Sequence, residues 1–237
     1  MKKILCVLFA GLSSLSANPH HIEVGPQSSN IMIKQNEGAG KQVGWITGGR
    51  VEYQYRDKLY ADAYIEKSWG TVKTYFVQDF WVEGSLGYVF SCKGKQIIPY
   101  AGLGYQFFKE NQHLNDVSLG TRHPYIPVGI YFEAPVAEMF SLGFNIKGLF
   151  ALKTMDHVGG FQGSYWQLKP RNDLILEWPM MFHKETKSGV WGASFIPYYR
   201  VIRFGPSISV NSLGVRLNIQ SQRNRYMGGR IMLTYAF

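Results

Sequence analysis

The sequence predicts an all-β protein, a ten-stranded antiparallel transmembrane β-barrel, with an eight-stranded barrel as the second choice. Three observations lead to this prediction. Apolar and polar residues alternate over segments of about ten residues, the length that a tilted barrel strand needs to cross a bilayer. No stretch after the N-terminal segment approaches the roughly 20 apolar residues of a membrane-spanning helix. Aromatic residues make up 15% of the chain and there are 26 glycines, a mixture that favours short strands over a helical core.

The first 17 residues are predicted to be a secretory signal peptide. Lys2 and Lys3 precede an apolar run from Ile4 to Leu12, and the small residues that follow offer a cleavage site. Residues 18–237 then form the barrel as one domain, because no linker or acidic run divides them. Removal of the signal lowers the formal net charge from +9 to +7. The remaining bases form no clustered stripe, so we expect no nucleic-acid partner.

Nine segments show a clear alternation, and their apolar faces contain no charged residue. In chain order these faces run from Val43 to Tyr55, Leu59 to Ile65, Phe80 to Phe90, Ile97 to Phe107, Ile126 to Phe132, Phe140 to Leu152, Leu174 to Phe182, Trp191 to Val201 and Met227 to Phe237. Aromatic residues at the ends of these faces lie beside short connections or the C-terminus, as a membrane-interface girdle requires. A soluble β-sandwich also alternates but needs no such girdle.

The opposite faces carry charged residues that we predict to form a polar network in the lumen. They are Arg50, Glu52, Asp62, Glu66, Glu83, Glu133, Lys147, Glu177, Arg200 and Arg230. Six are acids and four are bases, and this near balance favours mutual pairing. Because a barrel of this size is just wide enough for side chains to fill, we expect a filled lumen, with a narrow polar channel as the alternative.

A tenth strand follows from parity, the requirement for an even number of strands. Bacterial single-chain barrels have an even number of strands and periplasmic termini, with short periplasmic turns and long extracellular loops. Short connections at 57–58, 92–95, 134–138 and 183–189 alternate with long ones at 70–78, 109–122, 153–170 and 204–224. The strand from Val43 must then run inward, which requires an earlier strand over His21–Gln35 with Ile22, Val24, Ile31 and Ile33 as its apolar face. The alternating stretch Leu213–Ile219 is predicted to extend above the membrane within the last loop.

Several segments together resemble a known group of proteins. GWITGGRVEYQYRDKLYADAY, VEGSLGYVF, PYAGLGYQF, YIPVGIYFE, FSLGFNIKGLF and MGGRIMLTYAF, in this order, are similar to the small, largely uncharacterised outer-membrane barrels of chlamydia-like bacteria. The resemblance covers most of the mature chain; it implies the fold and an outer-membrane location and brings no known activity. The ending, with Ile231, Leu233, Tyr235 and Phe237 at alternate positions, is also similar to the signal by which outer-membrane proteins are presented to the barrel-assembly machinery.

Cys92 is the single cysteine of the predicted mature chain, because Cys6 leaves with the signal. An inert thiol is one interpretation. The envelopes of chlamydia-like bacteria are cross-linked by disulfides. The resemblance therefore implies a second interpretation, a disulfide between Cys92 and another envelope protein.

The histidines do not form a catalytic pattern. His113, His123, His157 and His183 are spread along the chain, and no His-x-Ser-Asn or Asp-x-His arrangement of the kind found in outer-membrane lipid deacylases, phospholipases and omptin-like proteases is present. We expect solvated loop histidines. His20 and His21 are weak candidates for a metal site at a loose terminus, so no metal or cofactor is predicted.

The sequence therefore predicts a non-enzymatic outer-membrane protein with a structural or surface-contact role. A narrow, porin-like diffusion channel is the second hypothesis and an integral membrane enzyme the third. Bases outnumber acids in the predicted long loops, and the expected partners are outer-membrane lipid, lipopolysaccharide phosphates or anionic host glycans.

Overall fold

Ten strands close into one antiparallel barrel in the computed structural model, as the sequence predicts. The structure describes residues 19–35, 40–112, 118–159, 165–208 and 219–237. The strand segments are β1 (His20–Gln35), β2 (Lys41–Arg56), β3 (Leu59–Val72), β4 (Tyr75–Tyr88), β5 (Phe90–Cys92), β6 (Lys95–Gln112), β7 (Ser118–Ala137), β8 (Phe140–Ala151), β9 (Thr154–Val158), β10 (Tyr165–Leu168), β11 (Asp173–Glu177), β12 (Met180–Thr186), β13 (Gly189–Phe204) and β14 (Gln222–Ala236). Segments β4 and β5 form the fourth barrel strand, β8 and β9 the seventh, and β10 to β12 the eighth.

The first and last strands close the barrel. The β1–β14 pairing runs from His21 opposite Ala236 to Gln35 opposite Gln222. At its end, the Phe237 N–H donates to the His20 carbonyl oxygen at 3.0 Å. The tenth strand inferred from parity is thus confirmed, with β1 in its place.

The apolar face predicted for β1 is wrong in its second half. Ile22 and Val24 are 43% and 50% exposed on the barrel exterior, whereas Ile31 and Ile33 are 0% and 2% exposed in the interior. Successive side chains of a strand point to opposite faces, so residues 22 and 31 cannot share a face in an unbroken strand. The polarity of the two faces therefore reverses along β1.

The barrel has two distinct ends. The terminal end carries His20, Phe237 and two-residue turns at 57–58, 93–94, 138–139 and 187–188. The loop end carries the connections at 36–40, 73–74, 113–117, 159–164 and 205–221. The predicted long loop at 70–78 is wrong, because β3 and β4 continue beyond the predicted span and join in the two-residue turn Lys73–Thr74. The predicted extension Leu213–Ile219 lies outside the described residues except for Ile219, whose N–H donates to Ser207 Oγ at 3.1 Å.

The exterior of the barrel is apolar over most of its height. The nine predicted apolar faces point outward, and large side chains on them are exposed, for example Trp45, Leu86, Leu103 and Met227. Aromatic pairs lie near the terminal end, such as Trp191 with Tyr235, whose ring centroids are 4.7 Å apart. A continuous apolar exterior of this size is unfavourable in water and suits the hydrocarbon of a bilayer. The described residues contain no helix that is long and apolar enough to cross a membrane.

The interior is divided between a charged region and an apolar plug. The charged region occupies the middle of the barrel, and the apolar plug lies between it and the loop end. The plug consists of Ile31, Ile33, Ile46, Val72, Val77, Phe108, Leu149, Leu168, Ile175, Ile202 and Phe204. Sequence reasoning did not predict this plug.

Candidate functional site in the barrel interior

Glu66 is the centre of the charged region. Arg200 donates two hydrogen bonds to its carboxylate, from Nη1 to Oε1 at 2.5 Å and from Nη2 to Oε2 at 2.8 Å. Arg230 and Arg50 approach Oε2 with Nη1 atoms at 3.4 and 3.5 Å. Glu66 is only 2% exposed, so one buried carboxylate holds three guanidinium groups from three other strands. Such bidentate, charge-assisted bonds are among the stronger interactions available to a side chain.

Two further glutamates neutralise this arrangement. Arg50 lies 2.6 Å from Glu52, and Arg230 lies 2.6 Å from Glu177. Gln54 donates to Glu52, and Asn145 donates to Glu177 at 2.9 Å. Three arginines and three glutamates thus form a balanced set, named here the Arg–Glu cluster: Arg50, Glu52, Glu66, Glu177, Arg200 and Arg230.

A second ion pair extends the cluster across the lumen. Lys147 Nζ lies 2.6 Å from Glu83 Oε1. The hydroxyls of Tyr64 and Tyr125 donate to the other oxygen of Glu83 at 3.1 and 3.0 Å. The ring of Tyr64 also lies 3.5 Å from the Arg50 guanidinium carbon and so joins the pair to the cluster. Side chains from opposite walls of the barrel therefore meet in its centre.

All ten residues predicted for the lumen network lie inside the barrel. Eight of them belong to the Arg–Glu cluster or the Lys147–Glu83 pair, whereas Asp62 and Glu133 lie nearer the terminal end. Glu133 is bound by Arg56 at 2.9 Å. Between the cluster and this end lies a cavity of about 50 Å³, lined in part by Arg56, Tyr60 and Asp62. A cavity of that volume has room for a few water molecules.

The sequence missed a polar group near the loop end. His123 is 0% exposed, with its Nε2 3.0 Å from Asp173 Oδ2 and its Nδ1 2.9 Å from Thr154 Oγ1. The prediction of a solvated loop histidine is therefore wrong for His123. The alternation along the strand could have revealed that His123 points inward, because it lies two residues before the inward-facing Tyr125 on β7. The sequence analysis also missed Asp79 on β4, which accepts a hydrogen bond from Gln106 at 2.8 Å.

The other histidines are dispersed. His20 Nδ1 lies 2.7 Å from the Tyr53 hydroxyl at the terminal end, where His21 and His183 also lie. At the loop end, the His157 ring contacts the Tyr165 ring at a tilted angle, with the centroids 5.1 Å apart. His113 lies outside the described residues. Within the described part of the chain, no group of three or more His, Cys, Asp or Glu residues is arranged to hold a metal ion.

Two carboxyls near the loop end lie in surroundings that disfavour their charge. Burial raises the pKa of Asp156 to about 6, although Thr121 donates a hydrogen bond to it. Burial raises the pKa of Glu110 to about 7, and its partner there is Gln222, at 2.7 Å. Desolvation penalises the ionised form of a carboxyl, so Glu110 is partly protonated near neutral pH and Asp156 becomes protonated as the pH falls through about 6.

The remaining predicted sites lie on the barrel surface. Ile231, Leu233 and Phe237 of the predicted assembly signal are exposed on the outer face of β14 and just beyond it, and Tyr235 is half-buried beside them. Cys92 is a free, exposed thiol at the start of the turn at 93–94.

No protein-family model and no curated protein matches the sequence. Solved structures are similar to it. The outer membrane protease OmpT from Escherichia coli has a TM-score of 0.58 at 9% identity, covering 96% of this chain and 99% of that one. The translocator domain of the autotransporter NalP from Neisseria meningitidis has a TM-score of 0.47 at 8% identity, covering 100% of this chain and 94% of that one. The likeness to OmpT shows that this chain has the β-barrel fold of an outer membrane protein.

Proposed function

We propose that the protein is an integral protein of a bacterial outer membrane, with a lumen closed to solutes and a structural or surface-contact role rather than a catalytic one. The apolar exterior supports the membrane location. The four short turns, the start of β1 and the end of β14 all lie at the terminal end, which supports periplasmic termini and extracellular loops. The C-terminal residues Ile231 to Phe237 would then be recognised by the barrel-assembly machinery.

The observation that carries the closed lumen is the Arg–Glu cluster beneath the apolar plug. A solute path through the cluster would have to separate Glu66 from Arg200 and Arg230 in a region that excludes bulk water. Separating a buried ion pair leaves uncompensated charges, which is strongly unfavourable. The plug adds a second barrier, since buried apolar side chains that fill the interior are unfavourable surroundings for water and ions. His123 is likewise enclosed, whereas a catalytic base must reach its substrate.

A narrow diffusion channel is the second candidate, because the polar cavity beside the cluster would form part of its path. Planar-bilayer recording of the purified protein separates the two. We expect no reproducible unitary conductance, with a general porin inserted under the same conditions as the positive control. A reproducible conductance that falls in Arg50→Gln or Glu83→Gln would contradict the closed lumen and support the channel.

We also propose that Cys92 forms a disulfide with another envelope protein. Its exposure at the terminal end would place the thiol in the oxidising periplasm, where disulfides persist. Isolated envelopes run on non-reducing gels are expected to show a higher-mass band that reduction removes and that Cys92→Ser lacks. Identical monomer bands with and without reductant would contradict this part of the proposal.

A further inference from the structure

Four basic side chains form one row across neighbouring strands at the loop end. Arg203 of β13 lies opposite Arg223 of β14, Arg223 lies opposite Lys34 of β1, and Lys34 lies opposite Lys41 of β2. All four are exposed. This set is named the basic row. Like charges directly opposite one another on a sheet are destabilising, so four in succession call for a counterion.

The described part of the protein supplies no exposed acid as that counterion. Its exposed or half-buried acids, which are Glu23, Asp57, Glu133, Glu138 and Glu185, all lie at the terminal end. The loop-end acids Glu110, Asp156 and Asp173 are buried. Gln222 and Thr121 bind the first two, whereas Asp173 lies beside His123 and accepts a hydrogen bond from the Arg203 backbone N–H at 2.7 Å. No ion pair among the described residues includes a member of the basic row.

A concave surface adjoins the row. A cleft of about 500 Å³ lies between residues 170–172 and the loop-end parts of β13 and β14, and Arg171, Arg203 and Arg223 line it. Arg203 Nη1 donates to the Asn172 carbonyl oxygen at 3.0 Å, which fixes the guanidinium at the cleft. Guanidinium groups bind phosphate oxygens in a bidentate manner, and their convergence on one cleft suits a phosphorylated ligand.

The surface on the terminal-end side of the row is mostly apolar, with one exposed base, Arg225, directly below Arg223 on β14. Two rows below it on the same strands lie the exposed Met227 of β14 and Trp45 of β2, with the half-buried Asn30 of β1 between them, and the exposed Val43 of β2 lies one row below Lys41. The row itself spans three strand spacings, about 14 Å. Positive charge at the end of a barrel wall, with mostly apolar surface below it, matches an amphiphile better than a soluble anion.

We propose that the basic row, with Arg171, binds the phosphorylated headgroup of a lipid whose acyl chains lie along the apolar surface beneath it. This inference rests on the proposed membrane location. The phosphates serve as the counterions that the described residues do not supply, and the lipid belongs to the leaflet that meets the loop end. In an outer membrane, the phosphorylated glycolipid of lipopolysaccharide has this chemistry.

Native mass spectrometry of the purified, folded barrel tests the proposal with bisphosphorylated lipid A and with the same lipid after dephosphorylation. The wild type is expected to retain the phosphorylated lipid selectively. The triple variant Lys34→Gln, Arg203→Gln, Arg223→Gln should bind it about tenfold or more weakly, because charge-assisted bonds to phosphate are lost. A matched triple variant at the terminal end, Lys58→Gln, Lys95→Gln, Lys187→Gln, removes the same charge and should bind like the wild type.

The outcomes are distinguishable. Equal retention of the two lipids, equal weakening in both triple variants, or displacement of the lipid by millimolar inorganic phosphate would overturn the lipid site. Insertion of each variant into phosphatidylcholine vesicles is measured in parallel by heat-modifiable migration. Normal insertion without selective lipid retention contradicts this inference alone, whereas a wild type that fails to insert contradicts the proposed function as well. In detergent without lipid, relief of repulsion should leave the basic-row variant at least as thermally stable as the wild type.

Discussion

Glu66→Leu is expected to destabilise the barrel by about 3–5 kcal/mol, the usual cost of removing one partner from a buried ion pair. The substitution leaves the guanidinium of Arg200 without its bidentate partner. It also removes a carboxylate neighbour from Arg50 and Arg230. All three arginines are buried, so water cannot replace the lost carboxylate. Urea unfolding followed by tryptophan fluorescence, together with heat-modifiable migration, measures the effect. Glu138→Leu, at an exposed turn of the terminal end, is the control and should be nearly neutral.

A second variant keeps this prediction informative if Glu66→Leu fails to fold. Glu66→Leu with Arg200→Leu removes one charge of each sign and leaves the Arg50–Glu52 and Arg230–Glu177 pairs intact. Replacing a buried pair by apolar residues of similar volume is often close to neutral, so the double variant should recover most of the lost stability. A single variant as stable as the wild type, or a double variant worse than the single one, would contradict the role assigned to Glu66.

The sequence was sufficient to predict the number of strands and the direction of nearly every side chain. Both rest on a period of two residues, which is a local property of the chain. The requirement for an even number of strands, with both termini on one side of the membrane, then predicted β1, whose own pattern of alternation was too weak to identify it. The length of the loop-end strands was not predictable in this way, because beyond the bilayer the outward face becomes polar and the alternation no longer looks like that of a membrane strand.

The apolar plug was missed for the same physical reason. Within the bilayer a barrel strand is apolar outside and polar inside, but near the loop end the outside meets water and the inside must be filled. On β13, Phe195 points outward and Arg200 inward, whereas four residues further towards the loop end Phe204 is buried and Arg203 is exposed. Assigning one apolar face to the whole length of a strand hides this polarity reversal. Its position along each strand marks the edge of the apolar exterior.

The pairing of interior charges was beyond the sequence. Near balance of acids and bases indicated that they would pair, but Glu66 is 134 residues from Arg200 and 164 from Arg230. Only closure of the barrel brings them together. The same holds for the basic row, in which Lys34 and Lys41 are far from Arg203 and Arg223 in sequence and become their neighbours through the β13–β14–β1–β2 register.

Leu103→Arg is expected to destabilise the protein in a bilayer by about 2–4 kcal/mol, the cost of a base on the lipid face near mid-membrane. Leu103 is 68% exposed on the outer face of β6, midway between Ile97 and Lys109, so an arginine there would be placed in hydrocarbon. The measurement is the heat-modifiable fraction after folding into phosphatidylcholine vesicles, with urea titration of what folds. Leu103→Ala should cost much less, since it buries no charge.

The matched control lies on the same face of the same strand. Asn111 points outward beyond the polarity reversal of β6, where the buried Phe108 and the outward Lys109 mark the edge of the apolar exterior. Asn111→Arg introduces an identical side chain eight residues further along, and it should fold as the wild type does because water or headgroups surround it there. If Leu103→Arg folds as well as Asn111→Arg, the exterior of β6 does not face hydrocarbon. A graded series at Leu103, Tyr105, Phe107 and Asn111 should therefore show a falling cost that locates the membrane boundary on this strand.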